Sequence, residues 1–174
     1  MRRFIKTFVS LLLIVTLQLV PVVGDIVAYA QELPSSYNFI TGVQLTDSEG
    51  NPLGENIAKD SELRLTYQYA IPNSGEVSKG DTFTLTIPEQ IKIDAPGDFE
   101  IYDSTNHLIG TGTIAVDGTV VITFTDYPEH YSNISGSFWF DLRFDESKIG
   151  LDDPTIIRFE VGGTTPPYEI SVDF

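Results

Sequence analysis

Residues Gly136–Phe144 read Gly-Ser-Phe-Trp-Phe-Asp-Leu-Arg-Phe, and this stretch decides the fold. Phenylalanine or leucine occupies every second position from Phe138 onward, while Trp139 and polar residues stand between them. Successive side chains of a β-strand point to opposite faces of the sheet. The period of two therefore predicts a strand that turns its phenylalanines and leucine toward a hydrophobic core.

The same alternation recurs along the rest of the chain. It is strong in four further stretches: Leu63–Ile71, Thr82–Ile87, Thr119–Thr125 and Tyr168–Phe174. Weaker patterns predict strands at Phe39–Thr46, Phe99–Tyr102, Leu108–Val116 and Ile156–Val161. About nine short strands without a helical period predict an all-β protein, a β-sandwich of two antiparallel sheets.

Turn residues separate these strands. Asp117-Gly118 lies between two apolar runs and is the strongest hairpin signal in the chain. Glu146–Asp153 has room for one helical turn. We find no internal repeat and predict a single domain over residues 39–174, preceded by a flexible lead-in at residues 31–38.

The first thirty residues have the order of a secretory signal peptide. A basic cluster at Arg2, Arg3 and Lys6 precedes an uncharged apolar stretch of 18 residues, 7–24, and then the small-x-small site formed by Ala28 and Ala30. We expect cleavage after Ala30 and export of the remainder. A permanent membrane anchor is the alternative, because 18 apolar residues just reach the length of a transmembrane helix.

The predicted mature chain is strongly acidic. Removal of residues 1–30 leaves 7 basic and 24 acidic residues of the original 10 and 25, so the net charge changes from −15 to −17. Such a charge repels phosphate backbones and anionic lipids, so we expect neither nucleic-acid nor membrane-surface binding. The absence of cysteine excludes disulfides and thiolate chemistry, and the hydrophobic core alone must hold the domain together.

Catalytic patterns are missing from the sequence. His107 and His130 have no second histidine at metal-ligand spacing, and no nucleophile-elbow, zinc-protease or phosphate-loop motif occurs. Residues 47–51 contain alternating oxygen donors like a calcium loop but lack the distal glutamate, so a plain turn is the better interpretation. We therefore expect no enzyme activity, no catalytic residue, no metal and no cofactor.

Three aromatic residues are candidates for ligand binding. Trp139 alternates with the core face of its strand, and Tyr127 and Tyr131 lie in the polar segment that precedes it. Exposed aromatic rings with polar neighbours are typical of recognition surfaces for peptides or sugars. The alternative for Trp139 is packing on the opposite sheet face or on a covering loop.

Three segments together resemble a known family. They are Val43–Asp47, Lys79–Pro88 (Lys-Gly-Asp-Thr-Phe-Thr-Leu-Thr-Ile-Pro) and Gly110–Tyr127, the last followed by Ser132–Phe138. In this order they resemble the first immunoglobulin-like subdomain in the ligand-binding region of collagen-adhesin-like, cell-wall-anchored proteins of Gram-positive bacteria. The resemblance extends over roughly residues 40–174.

The resemblance implies an immunoglobulin-like sandwich that works beside a second, similar subdomain. In the family, the pair closes around an extended host protein such as collagen, and a C-terminal extension latches the closed form by adding a strand to its neighbour. Thr123–Tyr127 resembles a motif of the latch trench, although in the family that motif belongs to the second subdomain. A secreted or cell-wall location and an extracellular-matrix partner are expected on the same grounds.

Two questions stay open at this level. The family continues beyond the position of Phe174 into a second subdomain and a sorting signal, so we expect either a piece of a longer adhesin or a module that is secreted alone. A structural support in a surface protein and a carbohydrate-binding module, or a hidden glycosidase, are the alternatives to adhesion.

Overall fold

The computed structural model describes residues 29–150, 154–162 and 167–174. These residues form ten β-strands and one short helix, and of the predicted signal peptide they include Tyr29 and Ala30. The elements are β1 (Ile40–Asp47), β2 (Glu62–Ile71), β3 (Thr82–Thr86), β4 (Ile91–Lys92), β5 (Gly97–Tyr102), β6 (Leu108–Ile114), β7 (Thr119–Phe124), α1 (Tyr127–His130), β8 (Ile134–Phe144), β9 (Thr155–Phe159) and β10 (Tyr168–Val172).

Two four-stranded antiparallel sheets face each other. The first has the strand order β1-β2-β8-β4 and the second β3-β7-β6-β5, while β9 and β10 form a separate hairpin. In the first sheet, β2 and β8 pair along their full common length, with Leu65 opposite Phe140 and Tyr67 opposite Phe138. All four of these side chains are buried, so the predicted inner faces of both strands are confirmed.

An aromatic cluster joins the two sheets. Phe39 is fully buried, and its ring centroid lies 5.0 Å from Tyr69 of β2, 5.3 Å from Phe83 of β3 and 5.2 Å from Phe124 of β7. Because these partners come from both sheets, a residue just before β1 holds the layers together. Aromatic pairs at such distances add to the free energy gained from burial alone.

The β9–β10 hairpin covers one side of the sandwich. Arg158 and Glu160 lie beside Thr86 and Pro88 at the end of β3, and β10 contacts β1. The inner side chains of the hairpin, including Ile157 and Phe159, are fully buried. The hairpin therefore lies on the side of the sandwich formed by β1 and β3.

The predicted lead-in at residues 31–38 contacts the same side of the domain. The Leu33 amide donates to the Thr82 carbonyl at 2.7 Å, and the Thr82 amide donates to the Gln31 carbonyl at 2.8 Å. The Gln31 amide also donates to Asp81 Oδ1 at 2.9 Å, and the Leu33 side chain is buried. The first residues of the lead-in are thus hydrogen bonded through their backbone to β3. The polar composition of the segment did not indicate this contact.

The predicted all-β sandwich is confirmed, with differences in the shortest elements. The Asp117-Gly118 hairpin joins β6 to β7, and Gly118 has φ +86°, a conformation that favours glycine. The two-residue strand β4 was not predicted, because two residues carry no periodicity. Residues 145–148 form a hydrogen-bonded turn instead of a helix, and the rest of the predicted helical segment extends into residues 151–153, outside the described part.

The helix α1 is four residues long. Within the described ranges, no helix has the length and apolar character needed to cross a membrane. The apolar stretch at residues 7–24 lies outside those ranges, so the choice between signal peptide and anchor stays a prediction.

Candidate functional site

The side of the sandwich opposite the β9–β10 hairpin is open. There β5 is the last strand of its sheet, and the two residues of β4 pair with Phe144 and Arg143 of β8. At the other end, the Ser104 amide donates to the Ser135 carbonyl at 2.9 Å, and Asp103 bridges to Gly136. Between these two closures, the described residues provide no backbone partner for the outer edge of β8 at residues 137–142.

A groove of about 320 Å³ lies between these two strand edges. We call it the open groove. Phe99, Glu100, Tyr102 and Asn106 form one wall, and Ser137, Phe138 and Trp139 form the other. Phe99 and Phe138 stack with centroids 5.8 Å apart, so the groove has an apolar floor and a rim of polar and aromatic groups.

Trp139 lies on the rim of the open groove and is 57% exposed. The Arg64 guanidinium lies over its ring, 5.8 Å from the centroid, and Arg64 Nε donates to Asp141 Oδ1 at 2.8 Å. Arg64 and Asp141 face each other across β2 and β8. The pair therefore holds a cation against one face of the indole. Within the described ranges, Trp139 is not buried beneath a covering loop.

His107, Tyr127 and Tyr131 form a second aromatic feature, which we call the aromatic stack. The rings of His107 and Tyr127 are 4.8 Å apart at 13°, and those of Tyr127 and Tyr131 are 4.3 Å apart at 20°. Tyr131 is at the outer end and is 53% exposed. The three near-parallel rings thus form a stack in which the Tyr131 ring is exposed to solvent.

The short helix α1 explains this geometry. Tyr127 and Tyr131 are four residues apart, and the Tyr131 amide donates to the Tyr127 carbonyl at 3.2 Å. Residues at this spacing lie on the same side of a helical turn. Pro128 fixes its own φ in the helical range at the first turn, where its missing N–H costs no hydrogen bond.

Asp103 organises the loop between β5 and β6, which separates the open groove from the aromatic stack. Its Oδ1 accepts hydrogen bonds from the Thr105 amide at 2.9 Å and the His107 amide at 2.8 Å. Burial opposes the charge of this carboxylate, but the hydrogen bonds from His107 and Thr105 outweigh burial and lower its pKa below the usual range. Partial burial, followed by the charge of Asp103, raises the pKa of Tyr127.

Replacing Asp103 with alanine is expected to loosen this loop. The change removes an ionised acceptor of two backbone N–H groups, so we expect a loss of about 2 kcal/mol in the free energy of unfolding. Because the pKa of Asp103 is lower in the folded state, its contribution is present above its unfolded pKa and disappears as the pH falls through the folded pKa.

Amide exchange of Thr105 and His107 would measure the local effect, and urea unfolding at neutral and strongly acidic pH would measure the global one. The difference in the free energy of unfolding between wild type and the Asp103→Ala variant should become smaller at acidic pH. Asp117→Ala is the control, since Asp117 likewise accepts an amide hydrogen bond, from Thr119, but in a turn away from the site. Unchanged exchange of His107 would contradict the role assigned to Asp103.

The structure brings two of the three predicted ligand-binding residues together. Tyr127 and Tyr131 contact each other, whereas Trp139 lies on the rim of the open groove with the Arg64 guanidinium over its ring. No local sequence pattern indicates that Tyr102 lines the same groove as Trp139, that Arg64 contacts the indole, or that His107 belongs to the aromatic stack. Residues 47–51 form a turn, in which Asp47 Oδ1 accepts the Asn51 amide at 2.8 Å.

Comparison with known proteins identifies the family to which this architecture belongs. Residues 56–152, more than half of the chain, match the bacterial Ig domain family. The chain belongs to that family. This bacterial Ig domain is 24% identical to clumping factor A of Staphylococcus aureus strain MW2 over 152 residues, 84% of the chain and 16% of the relative. It is 33% identical to serine-aspartate repeat-containing protein C of the same strain over 122 residues, 64% of the chain and 12% of the relative.

Solved structures show the same fold. The collagen adhesin CNA of S. aureus has a TM-score of 0.55 at 17% identity, with 84% of this chain and 45% of that chain covered. The collagen binding domain of surface protein RspB of Erysipelothrix rhusiopathiae has a TM-score of 0.54 at 15% identity, with 82% and 47% covered. The resemblance to adhesins of Gram-positive bacteria is confirmed, and the bacterial Ig domain spans about half of these structures.

Proposed function

We propose that this bacterial Ig domain is an exported adhesion module of a Gram-positive cell surface that binds an extended segment of a host extracellular-matrix protein, such as collagen. The open groove is the observation that carries the proposal. It lies between two strand edges, has an apolar floor at Phe99 and Phe138, and has Trp139 exposed on its rim. An extended peptide can add hydrogen bonds to a free strand edge while its side chains enter such a groove.

The relatives support the same proposal. Two solved structures with this fold are named a collagen adhesin and a collagen binding domain. In our proposal, a second immunoglobulin-like subdomain lies beside this one and completes the ligand site, and the module has no catalytic role.

A triple substitution of Tyr127, Tyr131 and Trp139 by alanine tests this function. Recognition surfaces concentrate binding energy in a few aromatic residues, so we expect at least a tenfold loss of affinity for the matrix ligand. Surface-plasmon measurements against collagens and fibrinogen would use the chain together with the following subdomain. Val116→Ala, at another exposed apolar position, is the control.

Unchanged binding by a folded triple variant would overturn the proposal and favour a purely structural support. Circular dichroism would establish that the variant is folded. Single substitutions would then separate the aromatic stack from the rim of the open groove.

A carbohydrate ligand is the second candidate, and the aromatic stack favours it. Tyr131 presents an exposed ring backed by two parallel rings, which is a suitable platform for the apolar face of a sugar. A glycan array and chromogenic glycosides would detect a sugar ligand or a glycosidase. Glycan binding that disappears in Tyr131→Ala and survives in Trp139→Ala would favour this candidate.

A further inference from the structure

The outer edge of β5 is a free strand edge, whereas the opposite edge of its sheet contacts other segments. The opposite end of the same sheet, at β3, lies beside β9 and is hydrogen bonded to the lead-in. In the described part of the chain, β6 is the strand that pairs with β5, and nothing pairs with residues 97–101 on the other side. Alternate N–H and C=O groups of β5 are thus available to another chain.

The side chains of β5 divide by face. Phe99 and Ile101 point into the sandwich, where Phe99 packs on Phe138 and Phe140. Asp98 and Glu100 are exposed on the other face, opposite the neutral Thr113 and Thr111 of β6. Glu100 accepts a hydrogen bond from the Tyr102 hydroxyl at 2.6 Å. Within the described residues, neither carboxylate forms a salt bridge to a lysine or arginine.

Charge decides which strand can use this edge. An antiparallel second copy of β5 would place Asp98 and Glu100 near their own counterparts, and like charges on neighbouring strands are destabilising. The edge therefore disfavours pairing with itself. Opposite charges at the same cross-strand positions are stabilising, so the edge favours a strand with basic residues at every second position.

We propose that the β5 edge binds an extended basic peptide by strand addition, with lysine or arginine opposite Asp98 and Glu100 and a small or apolar residue between them that faces Phe99. The proposal rests on the proposed function, because it names the chemistry of the segment that enters the open groove. A net charge of −17 for the predicted mature chain adds long-range attraction for such a peptide.

A ten-residue peptide that alternates lysine with valine would test this with the purified chain. Fluorescence anisotropy at low salt would measure affinity, and hydrogen exchange would follow the amides of residues 97–102. We expect binding, slower exchange in β5 and a loss of about tenfold in affinity in the double variant Asp98→Asn/Glu100→Gln. The double variant Glu55→Gln/Asp60→Asn has the same charge change at exposed sites elsewhere and is expected to bind nearly as well as wild type.

Backbone-methylated peptides separate strand addition from simple charge attraction. Methylation of alternate amides keeps every lysine charge but removes half of the donors. The methyl groups can be placed on the odd-numbered or on the even-numbered amides of the peptide. We expect one of these two patterns to abolish binding and the other to preserve it. Equal binding by both, equal binding by the two double variants, or absence of protection in β5 would each overturn the proposal.

Failure of this proposal can be distinguished from failure of the proposed function. Loss of matrix binding in the aromatic triple variant together with failure of the basic peptide would reject only the β5 edge. Retained matrix binding in the triple variant would reject the proposed function, whatever the peptide does.

Discussion

Replacing Phe39 with alanine is expected to lower the free energy of unfolding by about 3–5 kcal/mol. The Phe39 ring is fully buried and contacts Tyr69 of the first sheet and Phe83 and Phe124 of the second. Its removal leaves a cavity between the sheets that neighbouring rings can fill only in part. Without cysteine, the chain has no disulfide to offset this loss.

Urea unfolding followed by circular dichroism would measure the effect as a lower midpoint with an unchanged slope. Val116→Ala is the control, because Val116 is 72% exposed and its truncation should change stability by less than about 0.5 kcal/mol. A loss below about 1 kcal/mol for Phe39→Ala would show that the two sheets are held together elsewhere.

Replacing Gly112 with valine is expected to destabilise the domain by about 2–3 kcal/mol and to displace a wall of the open groove. Gly112 lies opposite Phe99 in the β5–β6 pair, and the Phe99 ring crosses the space that a side chain at position 112 would occupy. That ring also packs against Phe138 and edge-on against Phe140, with centroids 5.8 Å and 5.0 Å away. A valine at 112 therefore forces Phe99 out of its position between the sheets.

A double-mutant cycle would establish this cause. In a Phe99→Ala background, Gly112→Val should cost little, because the new side chain enters the space that the ring has left. Gly97→Val is the control for strand context, since a side chain at position 97 of β5 would meet nothing within 4 Å. Equal costs of Gly112→Val with and without Phe99 would contradict the steric explanation.

Local patterns predicted the strands with long, regular alternation. The inner face of β8 follows from the spacing of its phenylalanines, and the β6–β7 hairpin follows from Asp117-Gly118. Strand order is a different problem, because it depends on which distant segments pair. The period of β5 indicates a strand but not that it ends its sheet, so the open groove could not be located from the sequence.

The candidate site was predicted only in part for the same reason. Tyr127 and Tyr131 could have been expected to stack, since their spacing of four residues around Pro128 permits one helical turn. A turn this short produces no periodic signal, so the sequence alone indicates only a polar segment. The contact between His107 and Tyr127 joins residues twenty positions apart and depends on the loop that Asp103 organises.

Trp139 is the single tryptophan of the sequence, and its indole lies on the rim of the open groove. Light absorbed at the red edge of the tryptophan band is therefore emitted by one side chain at one place. A chain that enters the groove removes water from this indole, so the emission should shift to shorter wavelength and resist quenching by iodide. The domain thus contains its own optical reporter, and ligands can be screened by intrinsic fluorescence without any label.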